Sequence, residues 1–143
     1  MPTPFFKQTI AILASASNTD GALGAVEVAS PRGAVPPLHV HHREDEAFYV
    51  LEGEYSVFVG DDVIEASPGA WVWGPRAVPH GYQIRSERGR HLSLTMPGGF
   101  EAFFEEVAAI ATPFADPRNE MGRLAAIASR YGVELLGPPS VPG

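Results

Sequence analysis

From Gln8 to about Thr95 the chain is a succession of short β-type runs, each cut by turn residues before it reaches helical length. The runs predict strands over residues 9–14, 23–29, 38–41, 47–51, 55–59, 63–66, 70–73, 81–85 and 91–96. The breaks between them draw on fifteen Gly and fourteen Pro. Many short strands at this spacing point to an all-β sandwich or small barrel. After Gly98-Gly99 the period changes. Phe100, Phe103, Phe104, Val107, Ala108 and Ala111 form an apolar stripe of helical period, with Glu101, Glu105 and Glu106 off it. A second helix is expected from about Arg118 to Tyr131, carrying Met121, Leu124, Ala125 and Ala128 and stopping at Gly132. The expected organisation is one domain: a barrel over residues 1–97, a helical extension packed on it over 98–136, and a flexible tail over 137–143.

Composition removes several classes of function. There are no cysteines, so disulfides, thiolate metal sites and a Cys nucleophile are excluded. Net charge is −7 with a single lysine, Lys7, and no basic run or stripe. Nucleic acid and anionic membrane are therefore not expected partners. No apolar run approaches the roughly 20 residues of a spanning helix. The opening MPTPFFKQTIAILASAS lacks a cationic start and a long apolar core, so it is read as the start of the fold and the protein as cytoplasmic.

His39 and His41 carry the chemistry. At i and i+2 on a strand they share a face, with Cα atoms about 6.5 Å apart. From there both imidazoles can reach one ion at roughly 2.0–2.2 Å. Glu46 lies five residues beyond His41, and His80 comes from another strand. Together they make a three-nitrogen, one-oxygen set that leaves coordination positions open for chemistry. Glu44 competes for the carboxylate role, but Glu46 alternates in phase with Phe48 and Val50. His42 points to the opposite face and is taken as a rim residue, and His91 as a surface histidine. Tyr82 shares the face of His80, which makes it a candidate substrate contact. Trp71 and Trp73 share one face of their strand, with Phe48 and Phe58 on neighbouring strands. These aromatics are expected to fill a core or a dimer seam; the sharper alternative is an apolar pocket that binds an aromatic substrate through Phe48 and Phe58. Arg76 sits in the turn before His80, solvated or placed to receive a substrate anion.

Gly33-x5-His39-x-His41-x4-Glu46-x6-Gly53 matches the first motif of the cupin superfamily at every position. Gly69-x5-Pro75-x-Ala77-x2-His80 resembles the second, with Ala77 where a glycine is usual and Ile84 where an asparagine is usual. The run Met96-Pro97-Gly98-Gly99-Phe100-Glu101-Ala102-Phe103-Phe104 is similar to the end of single-domain, quercetin-dioxygenase-type cupins. The resemblance implies a double-stranded β-helix, or jelly-roll barrel, with C-terminal helices. It implies one divalent transition metal ion (Fe, Ni, Mn, Co, Cu or Zn) held by His39, His41, Glu46 and His80, with Glu46 also a candidate base. It further implies a homodimer and O₂ addition to a small enolisable or aromatic substrate. Two other functions stay open: non-redox isomerisation or polyketide cyclisation, and non-catalytic binding of a small molecule.

Overall fold

The computed structural model describes residues 3–5, 7–108 and 117–137. Eleven strands and two helices occupy them, in the order β1 (Thr3–Phe5), β2 (Gln8–Ala14), β3 (Gly24–Pro31), β4 (Leu38–His41), β5 (Asp45–Glu52), β6 (Tyr55–Val59), β7 (Asp62–Ala66), β8 (Trp71–Gly74), β9 (His80–Ile84), β10 (Arg88–Met96), α1 (Glu101–Ala108), α2 (Pro117–Arg130) and β11 (Val133–Gly137). All nine expected strands are present, with ends shifted by up to three residues. Two antiparallel sheets face each other, one ordered β1-β2-β3-β10-β5-β8 and the other β11-β4-β9-β6-β7. This is the double-stranded β-helix with C-terminal helices that the motifs imply.

Two apolar clusters hold the layers together. Between the sheets lie Phe48 and Val50 of β5, Tyr55 and Val57 of β6, Val72 of β8, and Ile84 of β9. The second cluster joins Ile10, Val26 and Val28 of the first sheet to Phe103, Phe104 and Val107 of α1, Leu124, Ile127 and Ala128 of α2, and Val133. Phe103, Phe104 and Val107 of the apolar stripe thus pack where its period placed them; Ala108 is exposed, and Ala111 lies outside the described residues. Ile84 fills core volume at the position where a motif asparagine would form hydrogen bonds.

Several expectations need correction. The segment after Gly132 is not helical: Val133–Gly137 forms β11 and pairs with β4, opposing Val133 to His41 and Leu135 to His39. Gly137, expected to open the tail, is the last residue of β11, and residues 138–143 lie outside the described residues. Glu101, though off the apolar stripe, is buried, accepting the Ala16 N–H at 2.9 Å and the Gly99 N–H at 2.8 Å. Trp71 and Trp73 do not fill a core; they are 56% and 45% exposed, because Val72 is the residue of β8 that points inward.

Candidate metal centre

Strand register assembles the site. His39 on β4 lies directly opposite His80 on β9, and His41 follows two residues along the same face. Glu46 comes from β5 in the facing sheet, so the cluster sits between the two layers. The turn before His80 closes against β4, where the Ala77 N–H donates to the His41 carbonyl at 2.7 Å. Ala77 holds φ at +66°, the left-handed backbone that explains why glycine is usual there.

The four side chains converge. One ligand atom from each lies within 4.8 Å of all the others. Glu46 Oε1 lies 2.9 Å from His80 Nε2, 3.0 Å from His41 Nε2 and 3.8 Å from His39 Nε2. Each ring turns its other nitrogen to an acceptor: His39 Nδ1 to the Pro37 carbonyl at 3.3 Å, His41 Nδ1 to Glu44 Oε1 at 2.7 Å, and His80 Nδ1 to the Val78 carbonyl at 3.1 Å. With Nδ1 of each ring turned to an acceptor, three Nε2 atoms converge on one carboxylate, a donor set that could hold a cation once any Nε2 proton is displaced. His41 Nε2 is buried without a well-aligned hydrogen bond, despite its nearness to Glu46. Ser93 donates to Glu46 Oε2 at 2.5 Å and fixes the carboxylate plane. The donor set fits a divalent transition metal ion and does not choose among them.

Charge follows from burial. For Glu46, burial works against ionisation, yet the imidazoles of His39, His41 and His80 hold its carboxyl well below the usual range. Burial and the neighbouring His80 push His39 down to about 4. Burial also opposes charge on His41, but the carboxylates of Glu44 and Glu46 outweigh it and raise His41 to about 9.

Beside the cluster is a cavity of about 70 Å³ that opens to solvent. His39, Glu46, Tyr82, His91 and Ser93 line one side, and Phe100, Phe103 and Phe104 the other. Phe100 also sets its ring edge-on to His41, at 4.6 Å between centroids.

The remaining candidates separate clearly. Tyr82 lines the cavity and accepts a hydrogen bond from Gln8 Nε2 at 2.7 Å. Phe48 lies 5.7 Å from the His80 ring but packs in the inter-sheet core, and Phe58 is buried on β6; neither lines the cavity. Arg76 is held by Asp45 at 3.2 Å outside it. His42 is exposed beside Glu134, as expected of a rim residue. His91 is not on the surface: it is buried, paired through Nδ1 with the Tyr55 hydroxyl at 2.8 Å, and burial lowers it to about 4. Glu44 and Ser93 were not singled out as partners of the cluster. Glu44 carried a signal, three residues from His41 across a bend; Ser93 carried none.

Comparison with known proteins agrees with this fold. Residues 26–94 match the Cupin_2 model, described as a cupin domain. Quercetin 2,3-dioxygenase of Bacillus subtilis is 32% identical over 93 residues, 65% of this chain but 28% of that enzyme's length. Among solved structures, KdgF from Halomonas sp. is 27% identical with a TM-score of 0.61, covering 66% of this chain and 83% of that one. An RmlC-like cupin from Shewanella frigidimarina has the same fold at 21% identity, with a TM-score of 0.63 over 71% of this chain and 87% of that one. The likeness to a cupin domain thus spans residues 26–94, and the fold is that of the solved cupins.

Proposed function

We propose that this protein is a metal-dependent oxidoreductase that adds O₂ to a small enolisable or aromatic molecule. The observation that carries the proposal is the convergence of three Nε2 atoms and one carboxylate oxygen beside a mainly apolar cavity that His39 and Glu46 line. The likeness to quercetin 2,3-dioxygenase supports the same reading. His39, His41, Glu46 and His80 hold the ion, which when bound supplies Lewis acidity and, if redox-active, a route for electrons to O₂.

The protein's own groups do the rest. The three Nδ1 partners orient the imidazoles before any ligand arrives. Glu46 is both the fourth ligand and the group placed to take the proton of an enolic hydroxyl, with Ser93 keeping Oε2 in position. Tyr82 contacts the substrate from the cavity wall, and the phenyl rings of α1 exclude water, which strengthens electrostatic control of developing charge. The physiological unit is a homodimer, supported by the exposed apolar face that bears Trp71 and Trp73.

O₂ uptake decides the matter. Protein loaded separately with Fe, Mn, Co, Ni, Cu or Zn is given flavonols and simpler enolisable aromatics, while dissolved O₂ and product mass are followed. The proposal expects O₂ loss with at least one redox-active ion and a product that has gained both oxygen atoms. Conversion supported equally by Zn, without O₂ loss, would establish isomerisation or cyclisation instead; binding without conversion would establish a carrier.

A further inference from the structure

Most of the apolar wall of the cavity lies outside the stretch that matches the cupin model. Phe100, Phe103 and Phe104 come from α1 and the turn before it, Ala128 from α2, and Val133 and Leu135 from β11. Opposite this wall the polar groups already have partners. Ser93 is bonded to Glu46, Gln8 to Tyr82 and Ser30, and His91 to Tyr55. Among the described residues the lining contains no Lys or Arg, and Glu46 is its only carboxylate. An oxygen function facing the cluster is met by the ion's charge. A second anionic group, further along the molecule, would be buried against phenyl and aliphatic side chains with no counter-charge, which is costly. A flat apolar body suits the same surface.

We propose that the C-terminal segment of this chain is its specificity element, restricting the cavity to molecules with one oxygen-bearing end for the cluster and an uncharged, mainly apolar body. The inference rests on the metal-centred reading above. Molecules that add a carboxylate or phosphate to that body are rejected.

Leu135 provides the test. It lies directly across from His39 in the β11–β4 register, lines the cavity and is only partly buried, so a longer side chain there reaches the rim without entering the core. Cobalt content of the full chain is measured first. Anaerobic calorimetry then compares 4-methylcatechol with 3,4-dihydroxybenzoate, which share a dihydroxyl head and differ in a distal methyl or carboxylate. The expected result is at least ~10-fold tighter binding of 4-methylcatechol, the discrimination that one unpaired buried charge gives. Leu135→Lys is expected to shrink that ratio several-fold by strengthening 3,4-dihydroxybenzoate, with cobalt content unchanged, and Leu135→Met to preserve it. Equal or tighter binding of 3,4-dihydroxybenzoate by the unmodified protein overturns the proposal, as does an unchanged ratio in a folded Leu135→Lys variant. Should that variant not fold, the ratio in the unmodified protein decides alone. Failure of cobalt to load would instead refute the metal reading, and the same pair titrated into metal-free protein by NMR still reports the cavity's preference.

Discussion

Glu44 is placed to tune His41, one of the proposed ligands. It is buried, and its carboxylate lies 2.7 Å from His41 Nδ1, fixing the ring and raising its basicity. Glu44→Ala is expected to weaken metal binding by roughly 10–100-fold and Glu44→Gln by less, read by competition with a chelator. Equal affinity in Glu44→Ala would show that the contact is only structural. A pH effect follows from the same contact. With His41 raised to about 9 in the metal-free protein, the ring is protonated at neutral pH, and the ion must displace that proton. Binding therefore releases about one proton at pH 7, and affinity climbs with pH until it levels above the His41 titration. Calorimetry in buffers of different ionisation enthalpy measures the proton count; a count of zero contradicts the assignment.

At this scale the sequence was legible where spacing encodes geometry. His39, His41, Glu46 and His80 are brought together as their positions implied. His91 misled because β10 inverts the usual pattern: Gly89, His91, Ser93 and Thr95 face inward, while Leu92 and Leu94 face outward. An alternation of polar and apolar residues gives the period of a strand but not which face is buried. Glu44, the rival of Glu46 for the carboxylate role, lies two positions before it. The strand begins only at Asp45, so the in-phase argument does not reach Glu44.

Among the elements, α1 matters most for the site, and Glu101 anchors it. Its buried carboxylate ties the start of the helix to the loop after β2 through Ala16, and to Gly99. Gly24 leaves it room, since a Cβ there would fall 2.0 Å from Glu101 Oε1. Glu101→Ala is expected to cost roughly 2–4 kcal/mol in urea denaturation, from two lost charge-assisted bonds. A cost within about 0.5 kcal/mol of zero, as at an ordinary surface position, contradicts this role. β11 escaped notice because Val-Glu-Leu-Leu-Gly is short, flanked by Gly and Pro, and rich in residues that also favour helices. What makes it a strand is the free edge of β4, a tertiary cause that local propensity does not contain.

For the whole molecule, the outer face of the first sheet stands out. Leu92 opposes Tyr49 and Tyr49 opposes Trp71, while Leu94, Ala47 and Trp73 form the next row. Such a face, apolar across three strands, is unusual for a lone soluble chain, and a second copy is the occupant that the homodimer proposal assigns to it. Light scattering at micromolar concentration is expected to give twice the chain mass of 15.3 kDa, and Trp71→Ser with Trp73→Ser to halve it. A monomer before substitution contradicts the dimer. The barrel was legible from its run of short strands, whereas the use of this face was not, because exposure of Trp71 and Trp73 depends on which side of β8 the core lies.

The proposed function requires one cation shared by the two sheets. The direct measurement is the metal content, by mass spectrometry, of protein purified without an affinity tag, alongside a folded His41→Ala variant. About one transition metal ion per chain is expected in the first, and a large loss in the second, since removing one of four ligands opens the site. Stoichiometric metal retained by His41→Ala, or none in the unmodified protein, would contradict the account.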